Sequence, residues 1–342
     1  MNDLITLAIP VYNVERYVEK SLLSALNQTY DNIEYLIVDD KGSDNSMNLV
    51  RSIIATHHRG KDVKIVEHER NIGPGAGRNR GINNASGKYI FFMDSDDEIS
   101  LDCIKILYRK MQECPVDFVA SSIETRERNG ERIEQLIHNE RHISEAKKIT
   151  VDYYATKNRH VAVWNKLYDL SFLRINNIKC LPTHLNEDNL FTFQIILNAQ
   201  SCSYISAITY YYYDTPDSTI KAARTFNISK RYAQQYVECI SYKVNYIQNF
   251  KDVEIRECVY RYIIFQTIYY ATLTRQSIIL NKAEKKSFLK ELIIFPFDIS
   301  EIKKLKNKLF FSIMYLIYTM PFTMTCFRII RYLSSSSKNE KK

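Results

Sequence analysis

The stretch Tyr89-Ile90-Phe91-Phe92-Met93-Asp94-Ser95-Asp96-Asp97 decides how the chain is read. Five apolar residues in a row fit a short strand covered on both faces, and the acidic run after them ends it. Ser100 can then cap a helix that runs to about Gln112. The same alternation continues outward. Leu4–Pro10, Tyr35–Val38, Val63–Val66 and Phe118–Ser121 are compact apolar strand candidates. Between them, Glu15–Gln28 has helical spacing through Tyr17, Val18, Leu22, Ala25 and Leu26, and Ser43 or Asp44 can cap a helix to about His57. A Gly-rich stretch leads into another helix ending near Ala85. Strands alternating with helices predict an α/β fold with a mostly parallel sheet and helices on both faces. In such sheets ligands sit beyond the carboxyl ends of the strands. Asn13, Asp39-Asp40 and Asp94–Asp97 all follow strand candidates at that end.

Downstream the pattern changes. Residues 122–148 are charged and weakly periodic, helical and loop segments follow to Leu197, and Tyr204–Tyr213 is an aromatic strand candidate. From Asn227 onward the pattern is helical, and Ser334–Lys342 has the composition of a disordered tail. The expected domains are therefore a sheet-bearing module over 1–224, a helical extension over 225–302, a basic aromatic segment over 303–333 and a tail over 334–342.

Composition sharpens this division. The 342 residues include only 8 Gly, all between Gly42 and Gly130, so special backbone geometry is confined to the N-terminal module. Up to Arg224 there are 27 Lys and Arg against 30 Asp and Glu; from Thr225 the count is 20 against 9, or +11. A near-neutral module followed by a basic one implies an anionic partner for the C-terminal part. Seven scattered Cys without C-x-x-C spacing read as reduced thiols of a cytoplasmic protein, not as a disulfide framework or zinc site. Met1-Asn2-Asp3-Leu4 lacks the basic flank and apolar core of a secretory leader.

Four constellations can carry chemistry. Asp94–Asp97 offers hard oxygens for Mg²⁺ or Mn²⁺; as an acidic turn it would merely cap the next helix. Asp39-Asp40 can accept from an imide N–H at a strand end, or form a turn with Lys41-Gly42-Ser43-Asp44. Asn71-Ile72-Gly73-Pro74-Gly75-Ala76-Gly77-Arg78-Asn79-Arg80-Gly81 can bring backbone N–H groups and Arg78 to a diphosphate. It is neither a G-x-G-x-x-G fingerprint, since Arg78 stands where Gly is needed, nor a P-loop. Glu187-Asp188 follows the helix-capping Asn186; it is either a dipole-stabilised first turn or a general base facing the crevice.

In order and spacing, Thr6–Asn13, Tyr35–Asp40, Asn71–Gly81, Asp94–Asp97, Trp164-Asn165-Lys166-Leu167-Tyr168, Glu187-Asp188 and Tyr211–Ser218 resemble the family 2 glycosyltransferases of the GT-A fold, in particular bacterial enzymes that build surface polysaccharides. The resemblance covers roughly residues 4–220 and implies a Rossmann-like nucleotide-sugar-binding sheet. It implies an inverting, metal-dependent transfer from a UDP-sugar to a saccharide or lipid-linked saccharide. Pro10, Tyr12 and Glu15 then lie around base and ribose, Asp40 meets the uracil ring and Arg78 the diphosphate. Asp96 and Asp97 hold ribose and the divalent cation, with Asp94 completing the acidic DXD loop. Asp188 is the catalytic base beside Glu187, and Trp164, Asn165 and Lys166 shape the donor-sugar and acceptor pocket. Lys41-Gly42-Ser43-Asp44 and Gly77 depart from the family pattern at positions outside these groups. A sugar nucleotidyltransferase should instead carry a Gly-rich loop directly after its first strand, where Pro10-Val11-Tyr12-Asn13 stands; a binding-only pseudoenzyme on a membrane scaffold should lack carboxylates that are all present.

Leu309–Phe327 is uncharged and mostly apolar, with Lys303, Lys304, Lys306 and Lys308 before it and Arg328 and Arg331 after. A spanning helix needs ~20 apolar residues, a length this stretch barely reaches, and Pro321 interrupts it. The composition favours a helix lying on an anionic membrane surface at the inner face of the cell membrane, with a buried final helix as the alternative. Basic residues that accompany an apolar stretch, without a nucleic-acid motif, argue against nucleic acid as the partner.

Overall fold

The computed structural model describes residues 2–156, 160–181, 186–214, 225–292 and 299–319. Contacts divide the chain into two units.

The first unit is built on a ten-stranded sheet. Its strands are β1 (Ile5–Val11), β2 (Ile33–Asp39), β3 (Val63–Glu67), β4 (Tyr89–Phe92), β5 (Glu98–Ile99), β6 (Phe118–Arg126), β7 (Arg132–Leu136), β8 (Arg141–Ile143), β9 (Lys166–Asp169) and β10 (Cys202–Tyr213). The main path runs β3-β2-β1-β4-β9-β6-β10-β5, with β7 paired to β6 and β8 to β10. Strands β3, β2, β1 and β4 are parallel neighbours, so their carboxyl ends line up. Beyond β4 the sheet is mixed: β9 runs antiparallel to both β4 and β6, while β6 and β10 are parallel. Helices α1 (Val18–Leu26), α2 (Ser46–Thr56), α3 (Pro74–Asn84), α4 (Cys103–Glu113), α5 (Ala146–Ala155), α6 (Leu170–Ile175) and α7 (Glu187–Asn198) complete the unit. This is the mixed α/β architecture that the alternating pattern predicts.

The apolar runs behave as two-sided strands. Ile5, Leu7, Ile9 and Val11 enter one core with Tyr35, Ile37, Phe91 and Val119, and the intervening Ala8, Leu36, Val38 and Phe92 are also buried. Two sequence expectations need correction. Residues 160–197 contain β9, four residues whose Lys166 and Asp169 hide the apolar pair Leu167-Tyr168; pairing to both neighbours makes so short a strand viable. The helix expected from Ser100 starts at Cys103, and its first N–H groups are not capped by the Ser100 hydroxyl. Ile104 N–H donates instead to Gln28 Oε1 (3.0 Å), while Gln28 Nε2 donates to Ser100 O (2.7 Å). The cap comes from a residue far away in sequence.

The second unit is helical, as expected from Asn227 onward. It comprises Lys230–Ile247, Val253–Gln276, Lys282–Leu292, Ile299–Ile302 and Lys308–Thr319. Asp252 caps the longest helix by accepting from the N–H groups of Glu254 and Ile255. Tyr236 and Tyr270 stack at 4.2 Å in its core, beside Cys239. Phe311 and Met314 of the last helix are buried, whereas Leu309, Ile313 and Leu316 are exposed. The boundary expected at 224/225 adjoins residues 215–224, and the segments expected over 320–342 also lie outside the described residues.

Candidate active site

The loops at the carboxyl ends of β1, β2 and β4 carry the predicted residues. After β1, Asn13 adopts a left-handed conformation (φ 50°), and its Oδ1 accepts from Ser43 N–H (2.8 Å), tying this loop to the one after β2. Tyr12 is exposed, and Glu15 accepts from Asn45 N–H (2.9 Å). Pro10 packs on α3, where the absent Gly77 side chain leaves room: a Cβ there would stand 3.0 Å from Pro10 Cβ.

Asp40 is buried, and its carboxylate organises the loop after β3. Oδ1 accepts from Ile72 N–H (3.0 Å) and lies 2.7 Å from His68 Nδ1; Oδ2 accepts from Gly73 N–H (3.0 Å). Gly73 itself has φ 91°, a conformation that favours glycine, and it opens α3. Three donors against a carboxylate's roughly four lone-pair sites leave one direction free.

Arg78, on α3, joins distant parts of the chain. It is 4% exposed, and it donates to Asp94 Oδ1 (2.8 Å) after β4 and to Glu187 Oε1 (3.0 Å) at the start of α7. A guanidinium is suited to this because its donors fan out in a plane. Burial opposes its charge, but Asp94 and Glu187 win and hold it protonated. Gly75, one turn earlier, lets α3 approach the same segment: an added Cβ would meet Leu181 O at 2.5 Å and Glu187 Cβ at 3.1 Å.

Asp188 therefore sits beside this bridge. Burial and the adjacent Glu187 charge push its carboxyl up to about 7, against the pull of Arg78 and the N–H of Asn189, which donates to Oδ1 (2.6 Å). A first-turn position on a helix should favour the carboxylate by 0.3–1 kcal/mol, roughly. Burial and like charge outweigh that here. A carboxyl poised near neutrality is what a general base needs.

The acidic loop is asymmetric. Burial and the Asp94 charge raise Asp96 to about 6, while Arg128 lowers it through a 3.2 Å contact to Oδ2. Asp97 is 1% exposed and points into β10: Tyr210 Oη donates to Oδ2 and Tyr213 N–H to Oδ1, both at 2.9 Å. Burial, Asp96 and Asp94 raise its carboxyl strongly. Among the described residues no group of three or more His, Cys, Asp or Glu side chains is arranged to enclose a metal.

Trp164, Asn165 and Lys166 are all buried. Trp164 stacks on Tyr210 at 4.3 Å and on Tyr212 at 5.5 Å. Asn165, left-handed at φ 60°, donates to Ser121 O (2.6 Å). Lys166 Nζ donates to Ala162 O (2.8 Å) and Asn165 Oδ1 (2.9 Å); burial lowers its amine to about 7, against the Asp188 charge. The tryptophan thus stacks on two tyrosines of β10, and the lysine lies within reach of the Asp188 charge.

Two contributors escape sequence reasoning. His68 follows a strand without any motif. Arg128 lies in the turn between β6 and β7, inside a stretch read only as charged; Asn129-Gly130 there is a hairpin signal that could have located it.

Residues 6–173 match the model of glycosyl transferase family 2. Residues 6–173 thus carry the sequence pattern of glycosyltransferase family 2. The chain is 32% identical over 215 residues to a poly(ribitol-phosphate) beta-glucosyltransferase of Bacillus spizizenii, a match covering 61% of this chain and 32% of that one. It spans less than two thirds of the length of other curated relatives too, among them GlyA of Streptococcus pneumoniae, 41% identical over 36% of this chain and 17% of its own. In three dimensions it is similar to residues 1–349 of S. aureus TarS in complex with UDP-GlcNAc (TM-score 0.64, 20% identity, covering 92% and 86% of the two chains). It is also similar to a mannosyltransferase of Pyrobaculum calidifontis in complex with GDP-Man and Mn²⁺ (TM-score 0.51, 14% identity, 93% and 86%). These likenesses show the GT-A fold.

Proposed function

We propose that this protein is a family 2 glycosyltransferase that moves a sugar from a nucleotide diphosphate, of the UDP class, to a saccharide or lipid-linked saccharide in cell-surface polysaccharide synthesis, with inversion. The observation that carries the reading is Arg78. By binding Asp94 and Glu187 at once it brings the acidic loop after β4 and the start of α7 to one place, with Asp188 beside it. The relative that acts on poly(ribitol-phosphate) and the neighbour holding UDP-GlcNAc support the donor and acceptor classes.

Each side chain has a task in this reading. Tyr12 and Pro10 flank the base, and the free lone pair of Asp40 accepts from its imide N–H. Glu15 borders the ribose. Asp96, with Asp94, would hold Mg²⁺ or Mn²⁺, which supplies positive charge at the departing diphosphate. Asp97, locked by Tyr210 and Tyr213, fixes the loop that presents Asp96. Arg78 holds Asp94 in place and adds a cation near the same charge. Asp188 takes the acceptor hydroxyl proton as that oxygen attacks the anomeric carbon from the face opposite the leaving group, which inverts the configuration. Lys166, near its own neutral point, tunes Asp188.

The last helix suits a membrane-facing role. Leu309, Ile313 and Leu316 form an exposed apolar stripe, with Lys304, Lys306 and Lys308 exposed just before it. Among the described residues no helix is long and apolar enough to cross a membrane. An interfacial helix on anionic lipid at the inner face of the cell membrane accounts for the stripe and the lysines before it.

Isothermal titration of UDP with and without Mn²⁺ tests the core of this reading. Binding strengthened by Mn²⁺, followed by turnover with one member of a nucleotide-sugar panel, is expected. Absence of UDP binding under both conditions overturns it.

A further inference from the structure

The side-chain cation on Asp96 comes from an unexpected direction. Arg128 leaves the β6–β7 turn, which Glu127 and Glu131 close through a 2.8 Å backbone hydrogen bond. Its guanidinium donates to Asp96 O (2.6 Å) and Asp96 Oδ2 (3.2 Å). The guanidinium lies 3.9 Å from the centre of the Tyr17 ring and 5.0 Å from that of Tyr213. The two arginines of the site differ in freedom. Arg78 has a side chain only 5% exposed and is held by two carboxylates, whereas the Arg128 side chain is 25% exposed and holds one.

A divalent cation on Asp96 cannot share that carboxylate comfortably with a guanidinium. Both are positive, and both need the same oxygen lone pairs. We propose that Arg128 is the resident counter-cation of Asp96, which a divalent ion must displace. The inference rests on the glycosyltransferase reading of the site. The Tyr17 ring, 3.9 Å away, supports the guanidinium while it occupies Asp96. Because Arg128 competes with the ion, the free enzyme binds the ion weakly. A nucleotide diphosphate supplies the negative charge that lets both cations stay. Metal and nucleotide then bind cooperatively, and the coupling acts equally in both directions.

The test is calorimetric and needs no turnover. Mn²⁺ alone, UDP alone and UDP in the presence of Mn²⁺ are titrated into the full-length wild-type protein and into Arg128→Gln. Relative to wild type, Arg128→Gln should bind Mn²⁺ alone at least tenfold more tightly, and the factor by which Mn²⁺ strengthens UDP binding should shrink about as much. Arg128→Lys keeps the charge and should remain close to wild type for Mn²⁺ alone. Tyr17→Leu, which removes the supporting ring, should tighten Mn²⁺ in the same direction as Arg128→Gln and serves as the check should that variant not fold. If Arg128→Gln (or, in its place, Tyr17→Leu) binds Mn²⁺ no more tightly than wild type while wild type binds UDP, the inference is overturned and the functional reading stands. If wild type binds no UDP, the functional reading fails, and this inference with it.

Discussion

Replacing Asp188 by Asn should abolish transfer and yet stabilise the protein above neutral pH. The carboxyl is raised from an ordinary value of 3.8 to about 7, first by burial and then by Glu187, against Arg78 and the Asn189 N–H; Asp94 also raises it. The Asp188 charge in turn acts on Lys166. In the unfolded chain the group ionises near 3.8, so between that pH and about 7 unfolding is increasingly favoured, and above 7 the penalty is constant. A shift of about three pH units corresponds to ~4 kcal/mol. The uncharged amide escapes this penalty, so the gain above pH 7 is up to ~4 kcal/mol, or ~8–16 °C in melting temperature for a unit of this size. Thermal melts of both proteins at pH 4, 6 and 8, with UDP titrated at pH 8, test the argument. The melting temperatures should coincide at pH 4 and diverge by pH 8, with UDP affinity unchanged. A difference independent of pH would refute the idea that burial of Asp188 sets its proton affinity; robust turnover by the variant would refute its role as base.

Three further outcomes follow from the same geometry. The rate at low acceptor concentration should rise with pH around an apparent pKa of about 7, as Asp188 loses its proton among Glu187, Arg78, Asp94 and Lys166; a profile flat from pH 5 to 9 contradicts this. Arg78→Met should destabilise the fold by roughly 3–5 kcal/mol in urea titrations, because Asp94 and Glu187 lose their shared buried partner; a loss under 1 kcal/mol would show that the bridge is dispensable. Changing Leu309, Ile313 and Leu316 together to Ser should release the protein from vesicles containing anionic lipid in flotation assays, with its melting temperature unchanged; retained flotation contradicts the interfacial role.

The parallel half of the sheet was legible because its strands are apolar on both faces, and Tyr89–Phe92 can hardly be anything else. The positions of Asp40, Arg78, Asp94 and Asp188 were legible for a related reason: they follow strand ends or open helices, where the backbone itself exposes side chains. What lies between such points is harder. Sequence cannot show that Arg78 links Asp94 to Glu187, since the contact joins residues 109 positions apart. It cannot show that Asp97 turns inward, because adjacent carboxylates look alike until Tyr210 and Tyr213 arrive from β10. Nor can it show that Trp164 stacks on Tyr210, 46 positions away. Arg128 was hidden by its surroundings: in a run of Glu, Arg and Asn, one functional arginine has no distinguishing neighbour.

The place of β9 carries a consequence for how the protein is made. Residues 89–92 and 118–120 flank it in space, yet neither pairs with the other; both wait for 166–169. Until the ribosome has released that third segment, the nascent chain holds two half-sheets, each with a bare inner rim able to recruit a stranger. A truncation ending before Lys166 would keep the acidic loop and most of the nucleotide-side strands, and would still be expected to clump during expression instead of accumulating as a smaller domain.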